Sequence, residues 1–438
     1  MVFSQSLGVT ILWLLTVTLS GAPPPRPLVL KAAHLWLGKD ERLIENAFLV
    51  IEGDRIKAVG SNLALPEGAE VVDLGSATLL PGLIDCHTHL LSALRPELSN
   101  AGEVDEIAEI THLSTAERAL RGSAKGKEML DAGFTTVRDL GNSGINGDIA
   151  LREAINKGWV VGPRIQASTR ALSPIGGQYS KLAKEAQGLV GIEYVEISSP
   201  PEARKAVQQA CADTADCIKV IANAAEAVIG LEEMKALVAE AHRRGKKVAA
   251  HATTDAGIDV AIEAGVDSIE HAYEIKDEPL RAMAKKGITL VPTDSTIEMV
   301  QHFYKDPLEW KRTESEWRTK LEALGKRLRR AREFGVRIAA GSDVYYRFPG
   351  MTRGQAAKDM FRAYAIAGLS PLEVLRSTTT SAAELLGWSD RIGTLEVGKF
   401  ADVIAVPGNP LKDPAPLKEV VFVMKGGAVV RSSTTPIQ

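Results

Sequence analysis

The feature that most constrains the fold is a regular alternation of short apolar runs and longer helical patterns between residues 79 and 343. Alternation of this kind predicts βα units around a parallel sheet. Glycine stands at several helix-to-strand joints, in the runs DAGFTT, RRGKKV, EAGVDS, KKGITL and EFGVRI, as is typical just past a helix end. The candidate strands are LLPGLIDCHTH (79–89), FTTVRDL (134–140), RIQAST (164–169), CIKVIA (217–222), KVAAHA (247–252), SIEHA (268–272), TLVPT (289–293) and VRIAAGSD (336–343). Because eight strands close a (β/α)8 TIM barrel, the predicted fold class is α/β with such a barrel.

The predicted helices lie between these strands, at Thr115–Asp131, Pro201–Cys211, Leu231–Arg244, Asp255–Ala264, Glu278–Lys286 and Glu314–Phe334. The two ends of the chain instead show short strands separated by turns, in residues 28–80 and 396–438. We predict that both ends together form one small β-sandwich domain and that residues 81–395 form the barrel. The length of 438 residues also fits two to three ordinary domains.

Charge and cysteine content limit the partners of the chain. The formal net charge of −3 and the absence of a basic run argue against nucleic acid as the main partner, so a small molecule is the expected one. The three cysteines form no CxxC pair and predict no disulfide framework, although a Cys211–Cys217 bridge stays open.

Residues 1–22 are predicted to be a signal peptide. Leu7–Leu19 is an uncharged, mostly apolar run of 13 residues, which suits a signal-peptide core better than a membrane span of about 20 residues. The expected location is periplasmic or secreted, with no stable membrane span after processing. An uncleaved N-terminal membrane anchor is the alternative, because no Lys or Arg precedes the apolar run and cleavage after Ala22 would leave Pro23 first.

Residue types that bind metals stand at the C-terminal ends of the predicted strands. They are His87, His89, Lys219, His251, His271 and Asp343. Each alone has an ordinary explanation, such as an interior histidine, a solvated lysine or an aspartate that caps a helix. Functional residues of a barrel lie at this end of its strands, so the joint pattern predicts one metal site. Because strand side chains alternate between faces, Asp85 shares the face of His87 and is predicted to support it, whereas Cys86 is predicted to pack. Cys217 is predicted to be a small buried thiol.

The segments PGLIDCHTHL, CIKVIA, AAHATT, SIEHAYE and AAGSD resemble the five metal-site segments of the amidohydrolase superfamily. The flanking runs DAGFTTVRDLG and IGTLEVGKFADVIAV resemble its branch of imidazolonepropionase-like and prolidase-like metal-dependent dipeptidases, which includes ochratoxin-hydrolysing amidohydrolases. The resemblance runs from about residue 28 to residue 430.

The resemblance implies a binuclear hydrolase of dipeptides or N-acyl amino acids. His87, His89 and Asp343 would hold the first divalent metal ion, and His251 with His271 the second. Lys219, N6-carboxylated to an anionic carbamate, would bridge them, because burial and cations favour the neutral amine that captures carbon dioxide. The ligand set suits Zn2+, with manganese or cobalt able to substitute. A metal-bridging hydroxide would attack the amide, with Asp343 as general base and then general acid.

Substrate contacts are predicted at the loops after the strands. Arg170, Tyr345, Tyr346 and Arg347 are candidates, because Arg matches a carboxylate bidentately and relatives recognise a free carboxylate. A solvated loop residue is the alternative for Arg347. Gln178 stands where related sequences often carry histidine, in GGQ rather than GGH, and could donate a hydrogen bond to a carbonyl or oxyanion. The loop IANAAEAVIG also lacks the Gly-Gly and Tyr of many relatives, which puts specificity in question more than chemistry.

Residues 294–335 form a predicted insertion with Phe303, Tyr304, Trp310 and Trp317. It is expected to be either a mobile lid that excludes water or a packing surface for another subunit, and we expect a homo-oligomer. Two alternative functions stay open at this point. One is a mononuclear imidazolone or cyclic-amide hydrolase or deaminase, which usually lacks the bridging lysine; the other is an inactive binding protein on the same fold.

Overall fold

The computed structural model of the chain describes residues 26–94, 102–179, 182–224, 227–303 and 313–432. The predicted signal peptide, residues 1–22, lies outside this described part, as do Tyr304, Trp310 and the side chain of Phe303. Among the helices of the described residues, none has both the length and the apolar character needed to cross a membrane.

The strands alternate with helices through the middle of the chain and follow one another directly at its ends. They are β1 (Leu28–Trp36), β2 (Leu43–Glu52), β3 (Arg55–Ser61), β4 (Glu70–Asp73), β5 (Thr78–Pro81), β6 (Leu83–Thr88), β7 (Phe134–Asp139), β8 (Arg164–Ala167), β9 (Ala171–Ser173), β10 (Tyr194–Glu196), β11 (Ile218–Ile221), β12 (Val248–Ala252), β13 (Ser268–His271), β14 (Thr289–Val291), β15 (Val403–Val406), β16 (Phe422–Lys425) and β17 (Ala428–Ser432).

Several helices begin at a side-chain cap, and three of the described ones end at a glycine in the left-handed region. They are α1 (Gly102–His112), α2 (Thr115–Asp131), α3 (Gly147–Asn156), α4 (Val190–Glu193), α5 (Pro200–Ala212), α6 (Leu231–Arg243), α7 (Asp255–Ala264), α8 (Asp277–Lys286), α9 (Ile297–Phe303), α10 (Glu314–Glu333), α11 (Arg353–Ala357), α12 (Asp359–Ile366), α13 (Pro371–Ser377) and α14 (Thr380–Leu386). In α2 a capping box joins Ser114 and Glu117, and α7 ends at Gly265 with a φ of 80°.

Strands from both chain ends pair in one eight-stranded sheet. Its order is β17-β16-β15-β5-β1-β2-β3, with β4 pairing with β1. Leu30 and Leu49 from the first part and Val403 and Phe422 from the second are fully buried in one apolar cluster on this sheet. The two ends therefore share a core, which holds them together by burial of apolar surface. The packing of two facing layers, which would make this unit a sandwich, stays a prediction.

The middle of the chain contains parallel strands only. One sheet has the order β10-β9-β11-β12-β13-β14 and the other the order β6-β7-β8. Backbone hydrogen bonds join the two sheets on both sides. On one side the amide of Asp216 donates to Ala167 O, and on the other the amides of Ala339 and Cys86 donate to Leu290 O and Ala340 O, respectively.

The structure differs from the expected elements at the first and last predicted strands. The run 79–89 is divided at Gly82, so that Pro81 pairs with Val403 in the end sheet while Leu83 begins β6. A side chain at Gly82 would place its Cβ 2.1 Å from Thr135 Oγ1, so the chain passes this point only without one. The run 336–343 forms an isolated bridge at Ile338 rather than a regular strand. The domain bounds at residues 80 and 395 stay a prediction.

Candidate metal centre

All six predicted metal ligands line one cavity of about 280 Å³ at the C-terminal ends of the parallel strands. β6 and the residue after it contribute His87 and His89, and β11 contributes Lys219. His251 comes from β12 and His271 is the last residue of β13. Asp343 follows the bridge at Ile338, and its amide donates to His87 O, which fixes it beside β6.

His87, His89 and Asp343 form the tightest cluster of this cavity. Their ligand atoms all lie within 4.8 Å of one another. Asp343 Oδ1 lies 3.2 Å from His89 Nε2 and 3.6 Å from His87 Nε2. Two imidazoles and a carboxylate at such distances are a donor set that binds zinc and related divalent ions.

His251, His271 and Lys219 lie next to this cluster. The rings of His251 and His271 have centroids 4.6 Å apart, and that of His271 is 5.2 Å from His87. Lys219 Nζ lies 3.4 Å from His87 Nε2, and His271 Nδ1 lies 3.9 Å from Asp343 Oδ2. The cavity thus holds four imidazoles, one carboxylate and one amine within reach of one another.

Outer hydrogen bonds point the imidazole Nε2 atoms into the cavity. His87 Nδ1 donates to Glu270 Oε2 at 2.8 Å, and His89 Nδ1 donates to Gly141 O at 2.9 Å, since both partners only accept. The Nε2 atoms of His87 and His89 therefore keep the lone pair that a metal ion requires. His271 Nδ1 lies 2.8 Å from Thr293 Oγ1 and 3.2 Å from the Tyr273 hydroxyl, so two side chains position its ring.

A buried ion pair holds the His87 imidazole in place through its Nδ1 atom. Arg138 donates to Glu270 Oε1 at 2.9 Å and to Cys86 O at 2.6 Å, and the Ser268 hydroxyl donates to Glu270 at 2.5 Å. With His87 on its second oxygen, the Glu270 carboxylate has a partner on each side, as a buried charge requires. The predicted support from Asp85 has a similar form, because Asp85 Oδ1 accepts from the amides of His87 and Ser342.

Burial lowers the pKa values of three imidazoles and of the amine. It lowers the pKa of His251 to about 3 and also lowers the pKa of His87 and of His271, in each case with help from neighbouring positive charge, so these rings are neutral at pH 7. Burial likewise lowers the pKa of Lys219 to about 8, so the amine is still mostly protonated at pH 7 but has a larger neutral fraction than an exposed lysine. Burial alone would raise the pKa of Asp343, but His87 and His89 outweigh it and hold that pKa below its usual value. Neutral imidazoles beside the anion of Asp343 fit a divalent cation.

The backbone is strained where the ligands leave the strands. His271 has a φ of 74°, Thr293 of 56° and Asp343 of 52°, a region that costs non-glycine residues about 1 kcal/mol or more. The neighbouring packing must hold these residues in place. Such strain is characteristic of functional sites.

The predicted substrate residues divide into two groups. Gln178, Tyr345 and Tyr346 line the metal cavity. Arg170 instead donates to Gly191 O at 2.7 Å, and Arg347 lines a different surface cavity, beside Phe348 and Pro349. The role of both arginines in carboxylate binding stays a prediction, without a contact to the metal cavity in the described part of the chain.

The two cysteines near the site pack rather than face the cavity. Cys86 lies in an apolar cluster with Ile84 and Val291, and Cys217 lies in one with Leu140 and Ala249. Burial raises the pKa of the Cys217 thiol to about 12, so it stays protonated at neutral pH. Both are free in the structure, and so is Cys211.

Four further polar residues line the metal cavity and were not singled out from the sequence: Glu106, Asn142, Tyr194 and Tyr273. Tyr273 follows His271 by two residues in SIEHAYE, and its hydroxyl lies 3.2 Å from His271 Nδ1, so the motif itself contained the signal. The same motif contained Glu270. Glu106 lies on α1, far from any predicted strand end, and nothing in its surrounding sequence marked it.

A second cavity of about 370 Å³ adjoins the first and shares Tyr273, Asp343, Tyr345 and Tyr346 with it. Its walls are mixed. Apolar side chains come from Met299, Val300, Trp317, Leu321, Leu324, Phe348 and Met360, and three carboxylates, Asp294, Asp343 and Asp359, line it as well. Lys320 is the single cationic side chain among the described residues that line it, and its ammonium lies 5.4 Å from the ring centroids of both Tyr273 and Trp317. Part of the predicted insertion therefore faces the site.

Comparison with known proteins gives consistent matches over most of the chain. Residues 78–430 match the Amidohydrolase family. The chain is 31% identical over 438 aligned residues to the ochratoxinase of Aspergillus niger, with 91% of this chain and 86% of the relative covered. The crystal structure of that ochratoxinase has a TM-score of 0.78 at 28% identity and covers 93% of this chain and 96% of its own.

Two other relatives are named for different activities. An imidazolonepropionase of Fusobacterium nucleatum is 25% identical over 392 residues, with 83% of this chain and 85% of the relative covered. The crystal structure of a Xaa-Pro dipeptidase with bound methionine has a TM-score of 0.76 at 28% identity and covers 92% of this chain and 99% of its own.

Proposed function

Because this chain belongs to the amidohydrolase family and is a hydrolase acting on amide bonds, we propose that it cleaves dipeptides or N-acyl amino acids at a binuclear metal centre. The fold is of the TIM-barrel type found in this family. The observation that supports the proposal most strongly is the convergence of six potential ligands on one cavity, with their outer hydrogen bonds in place.

In this proposal His87, His89 and Asp343 hold one divalent ion, and His251 with His271 holds a second. Lys219 bridges them as an N6-carboxylated lysine. Its burial and its pKa of about 8 support this role, since a larger neutral fraction is available to react with carbon dioxide than in an exposed lysine. Zn2+ suits the imidazole and oxygen donors best.

Bound divalent ions would polarise the scissile carbonyl and lower the pKa of the attacking water. Asp343 takes the proton of that water and passes it to the leaving nitrogen. Its position beside His87 and His89 supports this role, and its lowered pKa means that the side chain is in the carboxylate form at neutral pH. Tyr273, Tyr345 and Tyr346 line the space beside Asp343 where a leaving group would lie.

The substrate class draws support from the second cavity and from the relatives. The second cavity shares Asp343 with the metal cavity and has apolar side chains that suit the apolar side chain of a leaving amino acid. Lys320 is a candidate partner for a free carboxylate there, beside the carboxylates Asp294, Asp343 and Asp359 that line the same cavity. The relatives named ochratoxinase and Xaa-Pro dipeptidase agree with this class. Arg170 and Arg347 stay predicted carboxylate ligands beside Lys320.

A mononuclear imidazolone or cyclic-amide hydrolase is the second candidate, favoured by the similarity to imidazolonepropionase. The chemical state of Lys219, together with the number of bound metal ions, distinguishes the two proposals. A binuclear centre requires close to two metal ions per chain and a carbamate at Lys219, whereas a mononuclear one requires one ion and no carbamate.

The deciding experiment is an assay of the metal-reconstituted protein against a library of dipeptides, N-acyl amino acids, cyclic amides and lactones, together with metal analysis. We expect cleavage of dipeptides or N-acyl amino acids and about two ions per chain. Uniform inactivity on these compounds with turnover of a cyclic amide or lactone would overturn the substrate class.

We also propose that the parallel strands close into one (β/α)8 barrel, that the end sheet folds into a sandwich, that the protein forms homo-oligomers and that it is exported. The hydrogen bonds between the two parallel sheets support the first point. Light scattering tests the oligomer. Mass spectrometry of the mature protein tests export, and an intact Met1 in a cytosolic fraction would contradict it.

A further inference from the structure

The wall of the metal cavity outside the six ligands has an unusual charge. The described residues that form it are Leu94, Glu106, Leu140, Asn142, Ala171, Gln178, Tyr194, Ile221, Tyr273, Tyr345 and Tyr346. Glu106 is the single carboxyl group among them, and none is cationic. A substrate carboxylate would find no countercharge on this wall, whereas a substrate cation would find one.

Glu106 is held in position by neutral donors. Asn142 Nδ2 donates to Glu106 Oε1 at 2.6 Å, and the Tyr179 hydroxyl donates to the same oxygen at 3.2 Å. Tyr194 packs edge-on against Tyr179, with ring centroids 5.4 Å apart, and its hydroxyl donates to Gln178 Oε1. These contacts fix the direction of the Glu106 carboxyl group without neutralising it.

The ion pairs around Glu106 leave it without a cation of its own. Arg118 pairs with Glu193, and Arg121 pairs with Glu109 at 2.5 Å. In the described part of the chain Glu106 itself forms no ion pair. Burial, and after it the charge of Glu193, raise the pKa of Glu106 to about 8, which is the response of a carboxyl group that lacks a cationic partner. The group is therefore mostly protonated at pH 7 until a cation binds beside it and favours the carboxylate.

We propose that Glu106 binds an ammonium group of the substrate. An ammonium donates charge-assisted hydrogen bonds to a carboxylate and would supply the missing countercharge. This inference rests on the proposed function and sharpens it, because a dipeptide has a free amine on the acyl side of its scissile bond and an N-acyl amino acid has none. Glu106 would then hold the amine on the acyl side, and Lys320 is the cation available to the carboxylate on the leaving side.

The test compares matched substrates with wild-type protein and Glu106→Gln. The substrates are a dipeptide, its N-acetyl derivative, and an N-acetyl-lysyl compound paired with its norleucyl analogue.

We expect wild-type protein to prefer the amine-bearing member of a pair, and Glu106→Gln to reduce kcat/KM for that member roughly 10- to 100-fold, chiefly through KM. Turnover of the N-acetyl and norleucyl compounds and the metal content should not change. A preference for the dipeptide identifies the α-amine as the ligand, and one for the lysyl compound identifies a side-chain amine.

The control is Glu109→Gln, a buried neighbouring carboxylate that has Arg121 as its own partner and does not line the cavity. It should leave the preference intact. An equal loss for both members of each pair in Glu106→Gln, or no preference in wild-type protein, would overturn the proposal.

Failure of the proposed function can be recognised separately. If none of these amides is cleaved, calorimetric titration of the metal-loaded protein with the same pairs still decides the question. Tighter binding of the amine-bearing member by wild-type protein but not by Glu106→Gln would support the role of Glu106, and equal binding would refute it.

Discussion

Asp343 is the residue on which the proposed chemistry depends most directly. Its carboxylate lies 3.2 Å from His89 Nε2, and its left-handed backbone, with a φ of 52°, is fixed by the hydrogen bond of its amide to His87 O. One oxygen can serve as a metal ligand while the other faces the cavity. The same side chain can therefore hold an ion and move a proton.

Asp343→Asn should keep bound metal but lose most of the rate. The amide oxygen still coordinates, whereas the amide cannot accept the proton of water, so kcat should fall about 100- to 10,000-fold. Metal analysis and turnover on the same preparation measure both effects. Asp216→Asn, which changes a carboxylate paired with Arg152 at the opposite end of β11, is the control. Turnover of Asp343→Asn close to that of wild-type protein would refute the assigned role.

Lys219→Ala should lose both metal and activity, because the proposed bridge disappears. Short carboxylic acids should restore part of each by supplying two oxygen donors in the space that the side chain leaves. Lys358→Ala is the matched control, since Lys358 is also a buried lysine but donates to Lys418 O away from the site. Full activity of Lys219→Ala without added acid would remove the bridge from the mechanism.

The sequence predicted the six candidate ligands of the cavity at the strand ends and three loop residues, Gln178, Tyr345 and Tyr346, and it missed Glu106, Asn142, Tyr194 and Tyr273. His87, His251 and Asp343 could be found because strand side chains alternate between faces and functional residues of a barrel lie at the C-terminal ends of its strands. Glu106 approaches the cavity from α1, so only the tertiary structure brings it there. Arg170 shows the converse: it follows β8 as expected, but its side chain turns to Gly191 O.

At the scale of elements, hydrophobic period and caps located six of the fourteen helices of the described residues, while α1, α3, α4 and α9 were not predicted. The helices Thr115–Asp131 and Asp255–Ala264 were predicted with their observed bounds, because a capping box or a terminal glycine marks their ends. Helices α11 to α14 were missed, as each has at most eight residues and shows little periodicity. The division of the first strand at Gly82 was missed because both halves are apolar, and only their different sheets separate them.

The helix α10 is tied to the metal centre through Arg327. This buried side chain donates to the carbonyl oxygen of His271 and to both oxygens of Asp294, at 2.5 and 2.7 Å. His271 has a left-handed backbone, so the hydrogen bond from Arg327 helps to keep it in that conformation. The helix thereby contributes to the orientation of a proposed ligand of the second ion.

Arg327→Met should weaken the binding of one of two ions and destabilise the fold by about 3–5 kcal/mol, because the buried Asp294 carboxylate loses its partner. Titration of the metal-free protein with zinc and urea unfolding measure the two effects. Arg329→Met on the same helix, where Arg329 donates to Ala367 O, should leave the zinc titration unchanged. Two ions bound by Arg327→Met with wild-type affinity would exclude this coupling.

At the scale of the whole molecule, stability and metal binding both depend on the protonation of the same histidines. Because the pKa values of His87, His251 and His271 are lowered in the folded protein, below about pH 6.5 these histidines bind protons in the unfolded chain but stay neutral in the folded one. Their contribution to the free energy of unfolding therefore falls as the pH decreases. The raised pKa values of Asp85 and Glu106 act in the opposite direction, since these acids bind protons more readily when folded.

His251→Gln should separate these effects in the metal-free protein. Between about pH 6.5 and pH 3, the imidazole of His251 binds a proton in the unfolded wild-type chain but not in the folded one, which destabilises the fold. The variant has no such imidazole, so its Tm should fall less on acidification. Added zinc should raise the Tm of wild-type protein, by an increment that shrinks as protons compete for the imidazoles. Thermal unfolding at a series of pH values, with and without zinc, measures both.

His112→Gln, at an exposed histidine of α1, should keep the wild-type pH dependence. If His251→Gln instead followed the wild-type curve, His251 would not be held neutral in the folded protein, and its assignment as a ready metal donor would be wrong.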